Sequence, residues 1–224
     1  MDTWFGHKGD VSYLDNILLD QRGLLKSLPH ALLRKFPIEH LQAWANANGI
    51  FYFVTSEMIE WLKEKIANKK AIEICAGDGC ISRSLGIIGI DNRIQESKKF
   101  RELLLEKYGK MAENWESASP PREIKKYEAL DAVRVFRPDI VIGAYVSQKG
   151  TLTDDYNGHK SFEWGVDERE LLTKAKTYIH FGNKYMHSGK FIFDLPHQEL
   201  HFPWLVSRAF DQSLNQVWIW ENIK

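Results

Sequence analysis

Met58, Ile59, Leu62 and Ile66 recur at three- and four-residue intervals, the repeat that lines one side of a helix with apolar groups. Thr55 offers an N-cap hydroxyl and Glu57 a first-turn acid, so this helix is predicted to open at 55–57 and close near Asn68. The period then changes. Ala71 to Cys75 is a short apolar run broken only by Glu73, and comparable runs fall at 87–91, 125–130, 139–146, 190–195 and 216–221. Helical repeats occupy 94–108, 131–137 and 167–181 between them. Such alternation predicts an α/β chain: a doubly wound, mostly parallel sheet of six or seven strands with helices on both faces. The stripe on 56–66 is then core, because the sheet that follows needs cover.

Upstream the pattern is looser. Leu14, Ile17 and Leu18, then Leu24, Leu25 and Leu28, keep helical spacing, while Pro29 and Pro37 punctuate the segment. Trp4, Phe5, Trp44, Phe51, Tyr52 and Phe53 make it rich in rings that would pack on the sheet, with Tyr52 a possible ligand contact. We divide the chain into a helical N-terminal extension or lid, 1–53, and a sheet domain, 54–224. Residues 109–124, with Ser117-Ala118-Ser119-Pro120-Pro121, read as an inserted surface loop.

The stretch Ala71-Ile72-Glu73-Ile74-Cys75-Ala76-Gly77-Asp78-Gly79-Cys80-Ile81-Ser82 joins a strand to a helix through a glycine-paired turn. Glycine at 77 and 79 lets backbone approach a ligand that a Cβ would block, and the N–H groups opening the next helix face that ligand. No Gly-Lys-Ser/Thr ending marks a phosphate-binding loop, and Ser82 stands where a dinucleotide fingerprint wants its third glycine. Asp91, closing Ile87-Ile88-Gly89-Ile90-Asp91, is placed to accept two ribose hydroxyls.

These motifs resemble the class I S-adenosylmethionine-dependent methyltransferases, over roughly residues 55 to 195. The resemblance implies a Rossmann-like fold with S-adenosylmethionine as cofactor. It implies that Glu73, Ala76, Gly77, Asp78 and Gly79 cradle the amino-acid end and that Asp91 and Asn92 hold the ribose. Asp131 and Ala132, in Leu130-Asp131-Ala132, would lie beside the adenine, and Ala144 would border the transfer site. Pro138 to Val146 would be the fourth strand. It ends in Ala144-Tyr145-Val146 rather than the Asp/Asn-Pro-Pro-aromatic tetrad of enzymes that methylate nucleic-acid amino groups, so a small-molecule or protein acceptor is expected. The helix between Gly79 and Asp91 must be very short.

Charge supports that expectation. Across 224 residues, 30 Lys+Arg balance 30 Asp+Glu, so no global positive field draws in a polyanion. Lys98, Lys99 and Arg101, and the run from Arg122 to Lys126, read as solvated faces. No apolar stretch is long enough for a bilayer and no signal-peptide pattern opens the chain, so a soluble cytoplasmic protein is expected. Of the two cysteines, Cys75 is expected to face the core and Cys80 to line the site; their spacing suits neither zinc nor a redox pair.

Candidates for acceptor chemistry are Tyr145 and Lys149, after the fourth strand, and His197, beyond the expected fifth. His197 and His201 would share a side only on one helix, and Pro196 and Pro203 bracket them, so no metal site is expected. Methyl transfer asks mostly for in-line positioning, so a site without an obvious base suits an enzyme and also a cofactor-binding protein without turnover. A dinucleotide-dependent oxidoreductase is the third reading.

Overall fold

The computed structural model describes residues 11–108, 120–150, 161, 162 and 164–222. In chain order its main helices are α1 (Ile38–Ala47), α2 (Ser56–Ile66), α3 (Cys80–Leu85), α4 (Lys98–Tyr108), α5 (Ala129–Phe136) and α6 (Glu168–Leu172). The central strands are β1 (Ala71–Ile74), β2 (Ile88–Asp91), β3 (Lys125–Lys126), β4 (Ile140–Ala144), β5 (Thr177–Asn183), β6 (Gln198–Leu200) and β7 (Asn215–Glu221). They form one seven-stranded sheet in the order β3-β2-β1-β4-β5-β7-β6. β1 to β5 are mutually parallel, while β7 runs antiparallel to both its neighbours, β5 and β6. The fold is therefore the predicted doubly wound α/β type.

Strand alternation sorts the core into two layers. Ile140, Ile142, Ile179, Phe181, Val217 and Ile219 point to the face covered by α1, α2 and the N-terminal residues, including Leu14, Leu18, Trp44 and Leu62. Ile72, Ile74, Val141, Tyr178, Trp218 and Trp220 point the other way, onto Ala132 and Val133 of α5 and Leu171 and Leu172 of α6. The α2 stripe is core as expected: Met58, Ile59, Leu62 and Ile66 are all buried, and the Thr55 hydroxyl accepts the Met58 N–H at 3.2 Å. No helix among the described residues is long and apolar enough to cross a membrane.

Two expectations are corrected. Residues 177–181, the end of the expected helix, belong instead to β5; α6, capped by the Asp167 side chain, stops at Leu172, before the run Thr-Tyr-Ile-His-Phe, whose branched and aromatic side chains suit a strand. Residues 190–195, where the apolar run predicts a strand, hold the 3-10 turn Phe191–Asp194 instead. Only Ile192 of that turn is buried, and a short apolar run does not by itself distinguish strand from turn. Residues 109–119 of the expected surface loop lie outside the described residues; Ile124, at its end, is buried.

Candidate functional site

The crossovers from β1 lead to β2 on one side and, further along the chain, to β4 on the other, so the strand order reverses between them. A crevice is expected outside the carboxyl ends at such a reversal. β1 stops there because Cys75 leaves extended backbone for φ +51°, followed by Gly77 at +53° and Gly79 at +72°. Cys75 is solvent-exposed, while the protein packed around it, then the Asp91 charge, pushes its thiol pKa up. Cys80, one residue into α3, is buried. The two cysteines thus exchange their expected places, because the left-handed turn at 75 breaks the strand alternation.

The two turn glycines do different work. A Cβ on Gly77 would meet nothing within 4 Å, leaving its face open. On Gly79 it would lie 2.2 Å from Ile124 Cδ1 and 3.2 Å from the Ser82 hydroxyl, so Gly79 is required by packing rather than by a ligand. Gly89 of β2 is constrained by the same two side chains.

Acidic groups hold the turn in place. Asp91, 3% exposed, accepts the Gly77 N–H at 3.0 Å through Oδ2 and the Arg93 N–H at 2.7 Å through Oδ1. Asp78 accepts from Cys80 N–H at 3.1 Å, from Leu25 N–H at 3.0 Å and from Arg83 at 3.3 Å. Glu73, 1% exposed, accepts the Ser82 N–H at 2.8 Å. Burial pushes Glu73 up to about 8, against the lowering effect of its Ser82 bonds; Asp78 and Asp91 are also raised by burial. Burial, then the Glu73 charge, pushes the hydroxyl of Tyr52, from the N-terminal segment, well above the usual phenol range, which sets that ring near β1.

Beyond β3 and β4 the rim is polar and aromatic. Glu128, exposed ahead of α5, accepts from Asn92 Nδ2 at 3.4 Å. Tyr145 leaves β4 in the left-handed region, φ +53°, and stacks on Tyr52 with centroids 5.9 Å apart and planes 2° apart. Burial pushes its hydroxyl up to about 12. A small cavity behind this stack is lined by Tyr52, Met58, Tyr145, Phe181, Ser207 and Asn215. Deeper, on the other face of β5, the Lys190 ammonium meets Glu168 at 2.5 Å and Tyr178 donates to the same carboxylate at 2.7 Å. His180 and His187 pack alongside, centroids 4.9 Å apart; burial holds His187 down at about 3 and His180 well below the usual imidazole range.

No family model and no curated protein matches this chain.

Among solved structures it is similar to a Streptococcus mutans protein described as a candidate SAM-dependent methyltransferase, at 14% identity and TM-score 0.33. That match covers 71% of this chain and 46% of the other, so the chain spans about half the length of that relative. A Thermoplasma acidophilum protein matches at 10% identity and TM-score 0.35, covering 85% of this chain and 92% of its own. A Pyrococcus horikoshii protein described as a candidate RNA methyltransferase matches at 12% identity and TM-score 0.31, covering 74% and 82%. At these identities and scores the likenesses lend no weight to a function, which has to come from the site itself.

The fold brings Gly77, Asp91, Asn92 and Tyr145 to one end of the sheet, and adds Cys75 and Glu128. Glu128 escaped notice because β3 is only two residues long, which places the strand end at 126 and not at 130. Asp131 instead lies in the first turn of α5, exposed and paired with Arg134 at 3.0 Å. Ala76, Ala132 and Ala144 are buried, the latter two within the core layers. Lys149 lies on a separate two-residue pairing with Ser161–Phe162. His197 is displaced furthest. It precedes β6, beside the Trp220 ring, and Trp220 pairs with Tyr178 near the opposite end of β5, so His197 sits away from the carboxyl ends. The extended residues of β6 also separate His197 from His201, and no cluster of three metal-ligating groups occurs among the described residues.

Proposed function

We propose that the chain is an S-adenosylmethionine-dependent methyltransferase acting on a small molecule or a protein side chain. One observation carries this reading: the helix start after the glycine turn, where a dinucleotide or nucleoside triphosphate would place phosphate, is closed by the chain's own carboxyl groups. Asp78 takes the Cys80 N–H and Glu73 takes the Ser82 N–H. A phosphate there would compete with both and face the charge of Asp78 and Asp91, at an energetic disadvantage. A cationic ligand meets the reverse situation. The open face of Gly77, the exposed Cys75 beside it and the neighbouring Asp91 fit an adenosine-linked sulfonium, a group of one positive charge and no phosphate.

When bound, S-adenosylmethionine would supply an already activated methyl group. The residues here would supply position: the Gly77 backbone as a contact surface, Asn92 and Glu128 as polar groups at the β2 and β3 ends, and Tyr145 with Tyr52 as a flat wall beside the acceptor. Asp91 reaches a ribose only while keeping the turn amides, since both its oxygens already accept backbone N–H groups.

A second reading, a cofactor-binding sensor or partner subunit without turnover, draws on the titrations. Tyr145, at about 12, stays protonated at neutral pH and so is not a base, while His187, at about 3, is neutral but too weakly basic to keep a proton it accepts. Calorimetry with S-adenosylmethionine, S-adenosylhomocysteine and NAD tests the shared part: micromolar binding of the first two is expected, and binding of NAD alone overturns it. Labelled cofactor with fractionated lysate separates the two readings, a labelled product marking the enzyme.

A further inference from the structure

Asp78 and Arg83 fasten the glycine turn to the N-terminal segment. Asp78 Oδ2 accepts the Leu25 N–H at 3.0 Å, while Arg83 Nη2 donates to the Leu25 carbonyl at 2.8 Å and Arg83 Nε to the Asp78 carbonyl at 3.2 Å. Leu25 is thus gripped at both its backbone groups. Around it the chain doubles back: Leu19 and Leu25 form an antiparallel bridge, Lys26 N–H donates to the Leu18 carbonyl at 2.8 Å, and Asp20 accepts the Arg22 and Leu24 amides at 2.8 and 3.0 Å. Asp20 also approaches Arg83 at 3.7 Å.

Residues 18–28 make a strap with an outer anchor as well. Arg22 reaches Glu123 at 2.8 Å, and the adjoining Ile124 is the side chain that fills the space left by the missing Cβ of Gly79. The contacts close a ring: strap to Glu123, Ile124 to Gly79, and Asp78 back to Leu25. Within that ring sits a turn with three residues in the left-handed region, one of them Cys75, which has no glycine freedom. Such backbone persists only when its surroundings over-determine it. Asp91 holds one side of the turn through Gly77, and Asp78 holds the other through the strap.

We propose that the strap sets the shape of the Gly77 face, with Asp78 and Arg83 as positioning residues, so that order in residues 18–28 and ligand binding at the turn are coupled. The inference rests on the proposed function only for the choice of probe. Coupling is reciprocal: whatever the strap contributes to affinity, the ligand returns to the strap.

Hydrogen exchange on the full chain, with and without saturating S-adenosylhomocysteine, tests it in wild type, Arg22→Ala, Asp78→Asn and Asp15→Asn. The Arg22 side chain is 56% exposed, so its removal severs the outer anchor without opening the core. Without ligand, Arg22→Ala is expected to exchange amides 76–82 several-fold faster than wild type. With ligand, exchange across 18–28 slows about tenfold in wild type, and Asp78→Asn loses that protection while binding about tenfold more weakly. Asp15→Asn, which replaces the charged acceptor of the Trp44 indole N–H, at 2.6 Å elsewhere in the N-terminal segment, with a neutral one, lowers the melting temperature and leaves both behaviours intact. Unchanged exchange at 76–82 in Arg22→Ala overturns the proposal, as does equal protection in wild type and Asp78→Asn. If wild type does not bind the probe, the ligand assignment falls alone, and the ligand-free comparison still decides the role of the strap.

Discussion

Gly77 and Gly79 look equivalent in sequence, yet they should respond oppositely to substitution. Gly77→Ala places a methyl group in open space and keeps a left-handed backbone at a cost of about 1–2 kcal/mol, so the fold survives while ligand affinity drops at least tenfold. Gly79→Ala adds a 2.2 Å collision with Ile124 to the same strain, so thermal unfolding, rather than binding, is the property that suffers first. Melting curves beside calorimetry check the pair; equal stability losses would remove the distinction. Glu73 gives a second residue-scale prediction. Its native pKa, about 8, lies above the ordinary 4.5, so the folded chain keeps a proton that the unfolded chain releases between those values. Its contribution is therefore fully present below about pH 4.5 and is lost as pH rises through 8, at no more than about 1.4 kcal/mol per pH unit. Urea unfolding from pH 5 to 9 should show Glu73→Gln losing less stability than wild type over that range; parallel curves would place Glu73 in a more solvated setting.

At the scale of elements, the buried Lys190–Glu168 pair pins the segment after β5 to α6. Both side chains are nearly inaccessible, at 3% and 2% exposure, and Tyr178 of β5 adds a third partner. Lys190→Met leaves an uncompensated carboxylate and should cost about 3–5 kcal/mol, whereas Lys190→Met with Glu168→Leu should recover most of that loss, as apolar replacements of buried pairs do. Chemical denaturation of the three proteins checks it. This network was not legible in the sequence, because Glu168 and Lys190 stand 22 residues apart with a strand between them where the period suggests helix. The helix at 56–66 was legible for the opposite reason. Its stripe and first-turn acid lie within an 11-residue helix and its N-cap immediately before it, so no distant contact had to be known.

Over the whole molecule, the direction of the sheet decides which polar groups can share a site. His197 precedes a strand parallel to β5 and so stands toward the amino ends, away from Gly77 and Tyr145. His197→Ala should accordingly leave S-adenosylhomocysteine affinity unchanged in calorimetry; a loss beyond twofold would bring that ring back to the crevice. The strap argues at the same scale. Residues 18–28 meet the glycine turn only because the N-terminal segment folds onto the face that α2 and α3 share.

By itself the sequence determined the alternation of elements, the two-layer sheet, the α2 stripe and the acid-flanked glycine turn, because each depends on neighbours within a few residues, where period and backbone freedom act. Tertiary structure alone decided which turn glycine is open, which cysteine is exposed, that Asp91 and Asp78 are already engaged by backbone amides, and that His197 lies off the site. Those outcomes turn on packing between segments far apart in the chain, such as Ile124 against Gly79 and Leu25 against Asp78, and on where each strand ends.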